Sequence, residues 1–451
     1  MKDIEPFRRK VEALYRERTP GSSDSWRESA GVLPMGVSGA AKFYEPYPVV
    51  LSGGRGGHVT DVDGNDYADY LMGAGSSLLG HCHPEVVRAV RQQIGRLATV
   101  LAPTPVEARF AERLRSLMPY LERLRFANTG SEAVRTALRA ARAFTGKTRY
   151  GKFEGNFHGS DDYFLVSSGS RQVAGSAGRP RPVMDSAGVP PRIADEVLLL
   201  PYNDAKNAAA LIEAHAGELA AVVMEPVAFS TGGAVVADRR FAAVVRELTT
   251  RHGIVLIFDE VVTGLRLGVG GAPEYLGVTP DLSCLGKAIG GGLPLSAMGG
   301  RADIMEAVLG PSARPGGTHI FHSGTFTGNP LSMAAGMAVL DVLEREPVLE
   351  HVDHLGARLI STLQEVLDSH GVGHMTGFGS IFQLHFTETP PSNRREVLAG
   401  DPVLTAAVLL GLCAHGVLWP PVHPGVVSYG HTEADIDRLA EVLDTVMGMV
   451  S

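Results

Sequence analysis

Two apolar runs, Leu219 to Met224 and Ile254 to Phe258, constrain this chain more than any other feature. Neither alternates with polar residues, so each suits a strand buried on both faces of a parallel sheet. Between them Asp238 caps a helical stretch that reaches about His252. Strand, crossover helix and strand together dictate a parallel pairing. Each run ends abruptly in acid: Glu225 before Pro226, and the pair Asp259-Glu260. Carboxylates in those places stand where open α/β sheets take their ligands.

Beyond Asp259 a Gly-rich connection leads to Lys287 and the flexible run Gly290-Gly291-Gly292. Only seven of the 41 basic residues are lysines, and Lys287 is the only one after Lys206. An arginine there could not become a neutral amine nucleophile, whereas a lysine can. A buried aspartate and a lysine able to form a Schiff base are the minimum equipment for holding pyridoxal phosphate. The aspartate keeps the pyridine nitrogen protonated, so that the ring can act as an electron sink.

Length and composition narrow the rest. A chain of 451 residues has room for two or three domains and an ample core. Its 44% hydrophobic and 20% charged content is that of an ordinary soluble globular protein. A net charge of -8 without a basic tract argues against a nucleic-acid partner. Cys82, Cys284 and Cys413 are too few and too scattered for a disulfide framework, so a reducing, cytoplasmic setting is expected. The charged, amphipathic first twenty residues are unlike a signal peptide, and no apolar run is long enough to span a membrane.

Along the chain, residues 1 to 19 read as a surface helix broken by Pro20-Gly21 and a Ser-rich loop. His58 to Leu71 alternates around Asp63-Gly64, which predicts a hairpin. Its DVDGND run is no calcium loop, because the glycine is misplaced and Met72 stands where a bidentate glutamate would be needed. His81-Cys82-His83 lacks a further ligand pair at useful spacing, so no metal is expected. Pro84 to Ala98 and Pro105 to Leu117 are predicted helices. A short strand reaches Asn128-Thr129-Gly130, and a helix from Ser131 to a Gly146 cap carries an apolar stripe of Val134, Ala137, Leu138, Ala141 and Phe144. Its first turn offers backbone N–H groups to an anion. Phe157, between glycine-rich ends, could stack on a planar group. Ser167 to Pro191 has no hydrophobic period and reads as a long mobile lid. No phosphate-loop motif and no placed dinucleotide fingerprint occurs. From about Glu344 onward the pattern becomes that of a smaller α+β domain, ending in a helix capped by Thr432 and Asp435.

Seven segments, in order, carry a family resemblance: NTGSEA at 128 to 133, KFEGNFHG at 152 to 159, PYND at 201 to 204, EPV at 225 to 227, DEVVTGLR at 259 to 266, PDLSCLGKAIGGGLP at 280 to 294 and GTFTGNP at 324 to 330. Together they resemble the class III, fold type I, pyridoxal-phosphate-dependent aminotransferases, in the branch of glutamate-1-semialdehyde aminomutase. The resemblance implies an α/β fold: a large domain with a mostly parallel seven-stranded sheet flanked by helices, and a smaller α+β domain from the N- and C-terminal segments. The expected divisions are 1 to 60, joining the small domain, 61 to 330, the cofactor domain, and 331 to 451.

It also implies roles. Lys287 and Asp259 would be catalytic, the lysine binding the aldehyde and then moving protons. Val261 and Phe157 would press the two ring faces. Gly130 and Ser131 would take the phosphate, joined by Gly324 and Thr325 of a neighbouring subunit, which makes the expected assembly a homodimer with shared sites. His158, Glu225 and Ser230 complete the implied cofactor contacts, Ser230 matching an asparagine that meets the ring hydroxyl in the aminomutase branch. Lys42 matches an arginine that reads the substrate carboxylate, and His423 lies in the segment matching one that holds a glutamate. These departures favour intermolecular transfer between a small amino donor and an oxo acceptor. The alternatives are an intramolecular aminomutase and a cofactor-binding module without turnover.

Overall fold

The Leu219–Met224 and Val255–Glu260 runs are neighbouring parallel strands, with Val255 opposite Ala221 and Phe258 opposite Met224. They are the centre of a seven-stranded sheet in the computed structural model of this chain, which describes residues 4–169, 171–311, 317–421 and 423–450. The strand order is Arg123–Ala127, Ser296–Gly300, Leu282–Leu285, Val255–Glu260, Leu219–Met224, Arg149–Phe153 and Val197–Leu200. Only Ser296–Gly300 runs against its neighbours. Every residue of Leu219–Met224 and Val255–Glu260 is buried, as a sheet covered on both faces requires. The crossover helix Arg239–Arg251 begins at Asp238, whose side chain accepts the Phe241 N–H.

The chain divides into two units. One comprises residues 84–349 with 392–398 and holds the seven-stranded sheet; the other comprises 1–83, 350–391 and 399–451. The boundaries expected at 60/61 and 330/331 therefore fall at 83/84 and 349/350. Backbone pairing explains the first, because Asp66–Asp69 is hydrogen-bonded to Val417–Leu418 of the C-terminal segment. Close packing explains the second. A Cβ on Gly336 would lie 2.4 Å from the Ile289 carbonyl and 2.8 Å from the Phe110 ring, so the helix Pro330–Arg345 belongs with the sheet.

Two further expectations are corrected. The Ser-rich stretch after Arg18 is a second helix, Pro20–Ala30. Proline is at home in a first turn, and the Asp63 carboxylate accepts the Gly21 and Ser22 N–H groups at 2.6 and 2.9 Å, supplying partners from afar in sequence. The stretch from Ser167 to Pro191 is a built structure rather than a free loop, although Ser170 lies outside the described residues. Its strands Ala174–Ser176 and Arg179–Arg181 form a hairpin. Asp185 closes its root by accepting the Ser168 and Gly169 N–H groups. Composition could not reveal that pairing.

In the other unit the predicted hairpin is present, with His58–Asp61 antiparallel to Asp66–Asp69 and Gly64 at φ 84°. Tyr15 is buried there and donates to the Tyr47 carbonyl at 2.8 Å. The helices Pro402–Ala414 and Glu433–Gly448 supply much of this core.

Candidate active site

Strand alternation separates the acidic pair at the end of Val255–Glu260. Glu260 accepts from Tyr120 Oη at 2.8 Å, the Ala272 N–H at 2.6 Å and Ser283 Oγ at 3.1 Å. Burial raises its pKa to about 7. Asp259 meets a different set. Its Oδ2 lies 2.8 Å from His158 Nδ1, and its Oδ1 accepts the Val261 N–H. A carboxylate carries no hydrogen, so Nδ1–H is the donor. Burial pushes the His158 pKa down, which keeps the ring neutral. Among the described residues the other ring nitrogen, Nε2, is buried without a hydrogen-bond partner.

Lys287 follows the strand Leu282–Leu285, at the start of a short 3-10 turn. Its φ of 49° is left-handed, a conformation that a side-chain-bearing residue adopts at some cost in strain. A sliver of the residue still meets solvent, but the amine is enclosed, and burial lowers its pKa to about 8. Glu225 and Asp259 oppose that shift, whereas Arg266 adds to it. The Nζ lies 4.9 Å from the centre of the fully buried Phe229 ring.

The two neighbouring segments are locked to one another. Glu225 Oε2 accepts the Phe157 N–H at 2.7 Å, and the Glu225 N–H donates to Asn156 Oδ1 at 2.8 Å. Burial, and then Asp259, push the Glu225 pKa well above the carboxylate range. Phe157 itself is half-buried, leaving ring surface available to a planar ligand. Ser230, after the buried Phe229, is also part-exposed.

The predicted anion-binding turn is the start of the helix Gly130–Thr145. Thr129 and Glu132 form a reciprocal capping box, and Gly146 ends the helix at φ 70°. Val261 is wedged between two glycines: a Cβ on Gly130 would fall 2.9 Å from its methyl groups, and one on Gly286 would fall 3.1 Å away. That slot brings the helix start, the residue after Asp259–Glu260 and the approach to Lys287 into one place. Ser131 Oγ accepts the Ser160 N–H at 3.1 Å.

Of the sequence-predicted residues, Lys287, Asp259, His158, Phe157, Glu225, Ser230, Val261, Gly130 and Ser131 thus lie on adjoining strand ends and turns of the sheet unit. Gly324 is in the same unit, beside Asn128, and Thr325 is exposed. Lys42 and His423 belong to the other unit. Lys42 is exposed and donates to Ser38 Oγ at 3.0 Å, and the His423 carbonyl accepts from Trp419 Nε1. Sequence reasoning missed three side chains: Phe229, the buried Arg266 and the buried Lys152. Arg266 and Lys152 lie inside the quoted motifs, where the sequence gives neither a role.

These residues fit a phosphorylated pyridine aldehyde. The amine is close to neutrality, the carboxylate is oriented from behind by an imidazole, and a helix start opens beside glycines that leave no room for a Cβ. Fold and site together define a pyridoxal-phosphate-dependent enzyme of fold type I. The chain belongs to the class III aminotransferases, whose family model matches residues 40–446. It is 38% identical over 423 residues, 93% of this chain and 97% of the other, to a glutamate-1-semialdehyde 2,1-aminomutase of Methanococcoides burtonii. An omega-transaminase from Sphaerobacter thermophilus superposes with a TM-score of 0.89 at 34% identity, covering 97% of this chain and 99% of the other. A β-phenylalanine aminotransferase from Variovorax paradoxus gives 0.89 at 32%, covering 99% and 98%. Pyridoxal 5'-phosphate is the cofactor of this enzyme.

Proposed function

We propose that this chain is an intermolecular aminotransferase, passing an amino group from a small amino donor to a separate oxo acceptor. The supporting observation is the segment after Glu225-Pro226-Val227, where Phe229 lies against Lys287 and Ser230 replaces the asparagine of the aminomutase branch. Lys42 and His423 likewise depart from that branch. The cofactor side is kept while the groups that would recognise substrate are changed.

Bound pyridoxal phosphate supplies an aldehyde carbon for amines and a ring that accepts the electron pair left at a substrate carbon. Lys287 Nζ holds the aldehyde and then carries a proton off and back at the substrate carbon, a task suited to a pKa of about 8. Asp259 keeps the ring nitrogen protonated, and His158 fixes the carboxylate for that purpose. Val261 and Phe157 bracket the ring, and Glu225 and Ser230 line its hydroxyl side. The Gly130 and Ser131 N–H groups take the phosphate, with Gly324 and Thr325 supplied by a neighbouring subunit of a homodimer. No helix among the described residues is long and apolar enough to cross a membrane.

The second reading, an intramolecular aminomutase, draws on the Methanococcoides burtonii relative. Incubating the loaded enzyme with single amino compounds, glutamate 1-semialdehyde among them, separates the two. Intermolecular transfer requires an added oxo compound for turnover. An isomer formed without one overturns it.

A further inference from the structure

Lys152 has no part in the chemistry above, yet it is fully buried within the strand Arg149–Phe153. Its ammonium donates to the Asn156 carbonyl at 2.9 Å, the Val166 carbonyl at 2.7 Å and Ser168 Oγ at 3.1 Å. An ammonium has three hydrogens, and here each has an acceptor. Ser168 Oγ passes its own hydrogen to the Phe164 carbonyl, so its lone pair is free for the lysine. With every hydrogen engaged and no solvent access, Lys152 is not a second amine for an aldehyde.

The acceptors come from two separate stretches. Asn156 begins the turn carrying Phe157 and His158, and that turn grips Glu225 through the Asn156 and Phe157 bonds. Val166 and Ser168 form the root of the hairpin segment, tied onward to Asp185. We infer that Lys152 is a positioning residue for the cofactor face: its ammonium joins the Asn156–His158 turn to the hairpin root and so sets where Phe157 and His158 stand. Replacing the ammonium by a methyl group leaves the Asn156 carbonyl and a Ser168 Oγ lone pair buried without that donor, and the Val166 carbonyl with only the long 3.4 Å contact from Ser168 Oγ, which loosens both stretches at once. This inference rests on the proposal that Phe157 and His158 face pyridoxal phosphate.

The test compares Lys152→Met and Ser168→Ala with the parent. Ser168→Ala removes one acceptor and keeps the charge, so it serves if Lys152→Met does not fold. Amide exchange is followed first in cofactor-free protein. In Lys152→Met, residues 156–158 and 166–169 are expected to exchange about tenfold faster, both together, and Ser168→Ala shows the same pattern about threefold. In loaded protein without substrate, pyridoxal phosphate binding should weaken about tenfold in Lys152→Met. The pH midpoint of its visible absorption should also move, and kcat should fall more than KM rises. Exchange that changes in neither stretch or in only one overturns the inference, as does an unmoved midpoint with binding within twofold of the parent. If the parent itself gains no visible band with pyridoxal phosphate, the proposed function fails, while the exchange result still decides the role of Lys152.

Discussion

The Lys287 amine lies 4.9 Å from the centre of the Phe229 ring, and that ring is closed to solvent. One face of the amine is therefore covered by hydrocarbon, while the ring's π-face still attracts a cation. Phe229→Ala admits water and should raise the lysine pKa by about one unit, slowing capture of pyridoxal phosphate at neutral pH about tenfold. Phe229→Leu keeps water out and loses the cation–π contact, so the pKa should stay low or fall by about half a unit. The measurement is the pH dependence of the rate at which cofactor-free protein takes up the cofactor. Equal profiles for the two variants would remove Phe229 from the account.

Lys287 also leaves a mark on folding. Its pKa is about 8 in the folded chain against an ordinary 10.5. A depressed folded pKa means that its contribution to stability is fully present above pH 10.5 and is lost as pH falls through about 8. Subtracting a Lys287→Ala variant cancels the titrations remote from the site and leaves Lys287 with its coupling to Glu225 and Asp259. In urea melts of cofactor-free protein, the stability difference should move in the parent's favour between those two pH values. A flat difference would show that the amine is solvated.

His158 and Asp259 share a buried hydrogen bond of 2.8 Å. Asp259→Asn should lower kcat by about 10²- to 10³-fold, since it removes the charge that we propose faces the ring nitrogen. His158→Asn should cost less, about tenfold, because it loosens the carboxylate without removing it. Steady-state kinetics checks both, and a double variant no worse than Asp259→Asn alone would show that the histidine acts through the aspartate.

Arg395 meets both oxygens of Glu154, at 2.7 and 3.0 Å, and donates further to the Gly175 and Ala174 carbonyls. Glu154 is almost wholly buried. Arg395→Met strands a carboxylate and should destabilise the sheet unit by about 3 kcal/mol, whereas converting both partners to apolar residues should recover part of that loss. Urea denaturation of the two variants measures the difference.

What could be read from the sequence was local. Leu219–Met224 and Val255–Glu260 announced themselves as apolar runs, Thr432 and Asp435 as the cap of the last helix, and Lys287 as a lone lysine after an acidic strand end. The obscure features depend on partners far along the chain. Pro20–Ala30 is a helix partly because Asp63 completes its first turn. The stretch after Ser167 is ordered because Asp185 reaches back to it. Lys152 sits in a strand like any surface lysine until Val166 and Ser168 fold over it. Phe229 was indistinguishable from a core phenylalanine, since nothing in EPVAFS tells which way its ring points.

The division of the chain has a practical corollary. Residues 392–398, with Arg395 among them, belong to the sheet unit although the residues on either side belong to the other. The polypeptide consequently passes between the two units four times. No single nick can release either half, and neither can be expressed from one uninterrupted stretch of gene. A protease cutting once should leave the two units still tethered through the crossings that remain.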